Sequence, residues 1–397
     1  MSGQFYDVIV VGAGPAGSQI ACELASAGYS VAVFEEKGAP GIDACCTGII
    51  STECFQSLGL DPDLILNEVR SARFFFPSGK YLRFQTEKPQ AYVINRLILD
   101  QLLTSRAQSQ GAEYFFSCPV VDIIPAKDGM RAEALRSGVK QAFGARAVVL
   151  ANGFKPMLPA KLGLGEIKSF LVGAQAEIEV KGVEEFEVYF GHKVAPGGFA
   201  WLVPIPGNRA YVGLLAKGKA KMHLQKLLGS LFEQGRAASS EAAIEQKLIP
   251  ISPLPRSHAD RLVVVGDAAG QVKPTTGGGI YFGHIGAKLA AGVLAEALSS
   301  GNLTASHLSR YQSEWRARMG REISRGYWAR WAYAKLTDRQ IERIFSVLSA
   351  NGTVDALIKS DVFSFDWHSK LILTILRHSS AYPLLRVRRL FAQGAGL

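Results

Sequence analysis

Two clusters of residues in this chain have the types and spacing to do chemistry. The first is Val8-Ile9-Val10-Val11-Gly12-Ala13-Gly14-Pro15-Ala16-Gly17, followed by Glu35 at the end of a second apolar run, Val31-Ala32-Val33-Phe34. A Gly-x-Gly-x-x-Gly turn between a strand and a helix, with an acid at the end of the next strand, is what binding the ADP half of a dinucleotide requires. Gly12 permits the turn, Gly14 lets the backbone approach a pyrophosphate, Gly17 lets helix and strand pack closely, and Glu35 accepts from the ribose hydroxyls. The phosphates then sit at the N-terminus of a helix, where free N–H groups and the dipole favour negative charge.

The second cluster is Gly266-Asp267, at the end of the apolar run Arg261–Val265, with the loop Thr275-Thr276-Gly277-Gly278-Gly279 ahead of another helix. Asp267 could accept from ribityl hydroxyls. The N–H groups of the loop and helix start could stabilise negative charge at the N1–C2 carbonyl edge of a reduced flavin. Far downstream of the first fingerprint in the same chain, this pair indicates FAD rather than NAD.

Elements must hold these clusters together. The first sixty residues read as βαβ, and Arg73–Phe84 reads as a hairpin turning at Ser78-Gly79. Arg96–Gln110 reads as helix, and Ala145–Leu150 as a short buried strand ending at Ala151-Asn152-Gly153. From about Ile167 to Leu215 the pattern alternates as in antiparallel strands. A helix of small residues follows Gly279 to about Ser299. The expected fold class is α/β, α+β overall. A Rossmann-like FAD-binding domain (1–70, 90–160 and 255–300) carries an inserted antiparallel β-sheet substrate domain (71–89 and 161–254) and a helical C-terminal region (301–397).

Composition narrows the function classes. The chain has 397 residues, 48% of them hydrophobic, enough for two or three domains. No apolar run reaches the ~18 residues of a bilayer span, and no signal peptide is read. The expected location is cytoplasmic, with peripheral contact at the inner membrane face. Five cysteines without a C-x-x-C pair argue against a disulfide framework, a zinc site or an iron–sulfur site, so no metal is expected. Seven scattered histidines suggest no ligand set, and His284 reads as a helix residue. Of the net charge of +10, most lies from Ser309 onward, where 15 Lys and Arg face 7 Asp and Glu. Trp315-Arg316-Ala317-Arg318 and Arg386-Val387-Arg388-Arg389 are examples. Such a surface attracts anionic lipid, nucleic acid or an acidic protein, or is a solvated helix face. Trp315, Tyr327, Trp328, Trp331 and Tyr333 would suit either a membrane interface or a core. No nucleic-acid partner is expected.

The combined pattern resembles the FAD-dependent geranylgeranyl reductase family, within the flavoproteins that share the p-hydroxybenzoate hydroxylase fold. The resemblance spans roughly Tyr6–Ser299, and Arg96 with Asp100 is similar to the family's Arg-x-x-x-Asp beside the cofactor. It implies cofactor contacts at Gly12, Gly14, Ala16, Gly17, Glu35, Cys46, Arg96, Gly266, Asp267, Gly278, Gly279 and Ile280. Cys45-Cys46-Thr47-Gly48-Ile49-Ile50-Ser51 resembles the loop these enzymes place near the isoalloxazine, which makes Cys46 the catalytic candidate. Pro196-Gly197-Gly198-Phe199-Ala200-Trp201-Leu202-Val203-Pro204 resembles their substrate motif. Substrate contacts are accordingly expected at Trp201, Pro204, Tyr189 and Phe76, with Phe74 and Phe75 as further lining residues.

The implied activity is saturation of isoprenoid C=C bonds by hydride from reduced flavin. The electron donor is left among NAD(P)H, a ferredoxin and a quinol, since no second nucleotide fingerprint exists; the basic tail would suit an acidic donor protein. Three rivals stand beside this reading: a flavin monooxygenase or halogenase, a quinone-linked electron-transfer flavoprotein, and a non-catalytic FAD-binding membrane protein. Asn152-Gly153 replaces the Asp-Gly that hydroxylases of this fold carry, which weighs against the first rival.

Overall fold

The computed structural model describes residues 4–349 and 364–378. Its central strand is Phe5–Val11, with Val8, Ile9 and Val10 fully buried. A strand sealed on both faces reads as a continuous apolar run, and this one pairs in parallel with Val31–Phe34 on one edge and Val139–Leu150 on the other. Leu262–Val264 adds in parallel beyond Val139–Leu150, and Glu113–Phe115 beyond Val31–Phe34. A meander, Val120–Ala126 and Gly129–Arg136, pairs antiparallel onto Val139–Leu150, and the short strand His258–Ala259 pairs antiparallel with Leu262–Val264, which completes an eight-stranded sheet. Residues 139–142 are exposed, so only the buried end of that long strand stands out in the sequence, and the meander goes unread.

The helices Pro15–Ser26, Arg96–Ser109 and Ile280–Ser300 cover one face of this sheet. Their core contains Ile20, Leu24, Leu99, Leu103, Phe282 and Leu294, and each such side chain contributes about 1.5–3 kcal/mol when buried. Small residues let the third helix come close: a Cβ at Gly283 would stand 3.4 Å from Gly266 Cα and 3.5 Å from Ala16 Cβ.

The second sheet has seven strands in the order Glu245–Pro250, Phe170–Glu179, Arg209–Ala216, Phe199–Ile205, Phe186–Phe190, Ser71–Phe75, Tyr81–Gln85. All neighbours are antiparallel except Ser71–Phe75 with Phe186–Phe190, which run parallel. The helix Ala220–Glu233 buries Leu224, Leu228 and Leu231 against the face turned away from the first sheet. A small third sheet, Ile49–Ser51, Ala91–Ile94 and Ile65–Val69, ties the two together.

The helix Ala305–Trp315 continues through a π-helical turn, Arg316–Gly320, into the helix Arg321–Tyr333. Trp315 is a core residue, 1% exposed, and its Nε1 donates to Ser257 Oγ at 2.9 Å. Trp331 is exposed at 42%, so the aromatic residues of this region divide between core and surface. The helix Asp338–Ser349 lays Phe345 against Phe76 and Phe190, with ring centroids 4.3 and 5.1 Å apart. The stretch Ser364–His368 returns to the body and leads into the helix Ser369–His378. Glu322 accepts from the backbone N–H of His368 at 2.6 Å and of Ser369 at 3.0 Å. Arg386, Arg388 and Arg389 lie outside the described residues. Among those described, no helix is long and apolar enough to cross a membrane.

Candidate active site

A continuous cavity of about 1150 Å³ runs between the two large sheets. An ordinary small-ligand pocket occupies ~300–1,000 Å³, so this one has room for a dinucleotide and a second molecule. At one end the glycine turn forms a cradle. Gly12 has φ +103°, and a Cβ there would stand 2.5 Å from Ala151 O, while a Cβ at Gly17 would strike the Gly12 carbonyl. These two glycines are required by the protein itself. Gly14 is different: a Cβ there would meet nothing within 4 Å, and the residue lines the cavity. Behind it the Pro15–Ser26 helix has no side-chain cap and no acid in its first turn. Its N–H groups are therefore free for a phosphate. Glu35 is fixed beside them, one oxygen accepting from Ala13 N at 2.8 Å and the other from Lys37 N at 3.0 Å. Ala16 lines the same end.

Gly266, Asp267, Gly278, Gly279 and Ile280 line the middle of the cavity. Gly279 is the N-cap of Ile280–Ser300 and supplies no side-chain cap. A Cβ at that position would lie 2.6 Å from Asp267 Oδ1, so the carboxylate and the bare helix start share one small space. Gln271 anchors the turn: its Oε1 accepts from Gly266 N at 2.8 Å, and its Nε2 donates to Tyr311 Oη at 2.7 Å. Among the described residues, four buried polar atoms on residues of the cavity wall, Arg96 Nε, Asn152 Oδ1, Trp201 Nε1 and Asp366 Oδ2, have no partner within the protein. Free N–H groups, the open space above Gly14 and orphaned polar atoms fit the pyrophosphate, ribityl chain and ring of FAD.

Cys46 and Arg96 meet at the cavity wall. The Cys46 sulfur accepts from Gly48 N at 3.4 Å, and Arg96 Nη2 grips Asp100 at 2.7 and 2.8 Å. Burial works against the charge of Arg96, but Asp100 and the Cys46 sulfur outweigh it and raise the guanidinium above its ordinary range. The neighbouring Cys45 is pushed up to about 11 by burial, then by Glu245 and Cys46, so it remains a thiol at neutral pH. Thr47 Oγ1 donates to Gln175 Oε1 at 2.5 Å, which ties this loop to the second sheet.

The far end of the cavity is apolar. Phe74, Phe190, Phe199 and Trp201 line it from three adjacent strands, with successive ring centroids 6.4, 6.3 and 5.7 Å apart. Trp201 stands opposite Gly213 on the next strand, and its Cζ2 would lie 2.5 Å from a Cβ there. Gly213 is the gap that lets the indole lie across the sheet. The other expected substrate contacts are displaced. Tyr189 is on the opposite face of its strand, packed toward the Ala220–Glu233 helix and bonded to Glu187 and Arg236. Pro204 also alternates away from the cavity, where its carbonyl accepts from Asn67 Nδ2 at 2.8 Å. Phe76 is buried under Phe345, and Phe75 stacks on Tyr189 at 4.9 Å. A two-residue period sends neighbours to opposite faces, so Phe74 faces the cavity and Phe75 does not.

Residues 5–325 match the FAD binding domain family. The chain is 32% identical over 400 residues to digeranylgeranylglycerophospholipid reductase 2 of Methanothermobacter thermautotrophicus, covering 97% of this chain and 99% of that one. It is 31% identical over 356 residues to digeranylgeranylglycerophospholipid reductase of Methanocaldococcus jannaschii, covering 86% and 90%. The chain belongs to the FAD-dependent geranylgeranyl reductase family. In fold the reductase is similar to a geranylgeranyl bacteriochlorophyll reductase-like protein from Thermoplasma acidophilum, with TM-score 0.85, 23% identity, and 98% and 99% of the two chains covered. It is less similar to the flavin-dependent brominase Bmp2, at TM-score 0.66 and 16% identity, covering 94% and 98%. The reductase is an FAD-dependent oxidoreductase.

Several residues of the reductase site carry no motif. Lys247 reaches from the second sheet to within 3.0 Å of Asp267 Oδ2, and the carboxylate, outweighing desolvation, raises the ammonium above its usual range. Lys273, Ser364, Phe365, Asp366 and His368 close one wall. The Lys247–Asp267 contact joins residues far apart in sequence, and the Ser364–His368 stretch has no periodicity to mark it. Gly213 alone left a signal, as a glycine inside the strand Tyr-Val-Gly-Leu-Leu.

Proposed function

We propose that the reductase saturates C=C bonds in the isoprenoid chains of a digeranylgeranylglycerophospholipid-type lipid, using electrons held on FAD. The observation that carries this reading is the continuity of one cavity, from the glycine cradle past Cys46 to the aromatic wall ending at Trp201. The flavin, when bound, supplies a hydride. The chain's own residues do the rest. Gly14 and the Pro15–Ser26 helix hold the pyrophosphate, Glu35 holds the ribose, and the Phe74–Trp201 wall aligns a prenyl chain and excludes water. Cys46, set by Arg96, lies where the cradle gives way to the aromatic wall and orders the reacting end.

A lipid substrate calls for access to a membrane surface. Arg321, Arg325, Trp328 and Trp331 recur at three- and four-residue intervals, which puts them along one face of the Arg321–Tyr333 helix, and Lys335 follows in the turn just beyond its end. Lys335 Nζ lies 5.8 Å from the Trp331 ring centroid. This basic, aromatic stripe supports peripheral contact with anionic lipid.

The test of the catalytic reading is an anaerobic single turnover. Prereduced holoprotein is mixed with digeranylgeranyl lipid while flavin absorbance and product mass are followed. Recovery of oxidised flavin, with a gain of two hydrogens per flavin, is the expected result. A flavin that stays reduced with prenyl lipids but is oxidised by a quinone or by oxygen would refute it.

A further inference from the structure

Arg96, Lys247 and Lys273 all line the cavity, and each stands against a carboxylate: Asp100 at 2.7 Å, Asp267 at 3.0 Å and Asp366 at 2.5 Å. The first and last pairs are buried in the wall. Lys247 differs, because it comes from the second sheet and keeps 44% of its side chain exposed. Strand parity places it there. Lys247 and Ile249 fall on one face of the strand Glu245–Pro250. Ile249 seats on the glycine loop, its Cγ2 3.4 Å from the place of a Gly277 Cβ, and with the strand so fixed Lys247 reaches Asp267 on the first sheet's side.

The carboxylate of Asp267 stands close to where electrons arrive. Its Oδ1 shares the space of a Gly279 Cβ at the bare start of the Ile280–Ser300 helix, the turn that meets the flavin edge. Two electrons and one proton added to FAD leave a net negative charge on the ring, and a carboxylate nearby opposes that gain. A cation on Asp267 Oδ2 cancels the opposition and leaves the N–H groups of the helix start to act on the ring. Asp267, outweighing desolvation, holds the Lys247 ammonium above its ordinary range, so it stays charged through neutral pH. Arg96 and Lys273 do not replace it, since each already balances a carboxylate of its own.

We propose that Lys247 sets the reduction potential of the bound flavin: by neutralising Asp267 it makes the protein hold reduced FAD more tightly, relative to oxidised FAD, than the first sheet alone would. Lys247 is a positioning residue in this role, acting through charge on Asp267 rather than on a reacting atom. Because the second sheet supplies it, the potential depends on how that sheet sits against the first. The consequence falls on the electron donor. A flavin of higher potential accepts electrons from weaker reductants, so Lys247 widens the class of donor that can load the reductase. The inference rests on the FAD site and not on the identity of the alkene.

The experiment compares the unaltered protein with K247R, K247Q, D267N and K247Q/D267N at one pH. Each apoprotein is titrated with oxidised FAD and, anaerobically, with dithionite-reduced FAD, and the midpoint potential of the bound flavin is measured against a redox dye. The readouts are linked, since a tenfold change in the ratio of the two affinities is about 30 mV for a two-electron couple. K247Q is expected to weaken the binding of reduced FAD at least about tenfold more than that of oxidised FAD, which lowers the midpoint by about 30 mV or more. K247R should keep the unaltered midpoint. D267N, which leaves the ammonium unopposed, should raise it, and the double variant should return toward the unaltered value. K247Q with both affinities reduced equally would overturn the proposal, because a lysine that only ties the sheets together would have that effect. D267N that fails to raise the midpoint would overturn it too, and this arm decides the matter if K247Q binds FAD too weakly to titrate. No lipid enters these measurements, so a flavin that prenyl lipid leaves reduced would refute the reductase reading without touching this one.

Discussion

The three glycines of the first turn look equivalent as letters and are physically distinct. Gly12 and Gly17 are demanded by protein atoms, whereas only a ligand demands Gly14, whose Cβ direction is open. G14V is expected to fold with unchanged thermal stability while its affinity for FAD, followed by flavin absorbance on titration, falls at least about tenfold. A side chain at Gly12 should instead destabilise the apoprotein by roughly 1–3 kcal/mol, the cost of holding a non-glycine residue at positive φ. This is why the cofactor end was legible in sequence: local backbone demands leave local signatures. Lys247, Lys273 and Asp366 left none, because what makes them notable is which distant residues they meet.

At the scale of elements, the structure turns on how small side chains let large pieces approach. The Ile280–Ser300 helix comes near enough to the first sheet for Gln271 to bridge Gly266 N and Tyr311, whose hydroxyl in turn donates to Val264 O at 2.7 Å. Q271L is expected to lower urea stability by about 1–3 kcal/mol, since it strands the buried Gly266 N–H and removes the donor to Tyr311 Oη, and to weaken FAD retention by loosening the Gly266 turn. The same helix carries His284, 3% exposed and 2.9 Å from Ser57 Oγ. Burial, with Lys288 adding to it, pushes this imidazole from 6.5 down to about 4. Because the folded value lies below the unfolded one, its stabilising contribution is complete above pH 6.5 and is lost as pH falls toward 4. The loss is roughly 3 kcal/mol. Urea titrations at pH 7 and pH 4.5 should show a smaller difference in H284Q than in the unaltered protein. Strand parity explains why Phe75, Tyr189 and Pro204 turn away from the cavity, whereas Phe76 lies just past its strand and packs against Phe345. Aromatic types at Phe74, Phe75, Phe76 and Tyr189 all suited a prenyl channel, and only the pleat decided that Phe74 faces it and Tyr189 does not.

At the scale of the whole molecule, the surplus positive charge of the last quarter of the chain was visible in composition, but its division was not: Trp315 went to the core and Trp331 to the surface. Juxtamembrane cations contribute about 1 kcal/mol each. The triple reversal R321E/R325E/K335E is therefore expected to weaken sedimentation with vesicles containing anionic lipid by about 100-fold or more at low salt, leaving turnover of detergent-dispersed lipid unchanged. Equal binding by the reversed protein would count against the stripe. The order of strands in the first sheet bears on how the molecule is made. Phe5–Val11 lies between Val31–Phe34 and Val139–Leu150, and the latter is in turn sealed by Leu262–Val264. During synthesis the glycine cradle emerges well before the wall that completes it, which is added only after residue 262 has left the ribosome. Pairings so far apart in sequence form slowly, and a ligand that binds only the finished fold stabilises it by mass action. The supply of FAD in the cell therefore acts on the last stage of assembly, and a nascent chain starved of it would present its apolar sheet edge to chaperones and proteases.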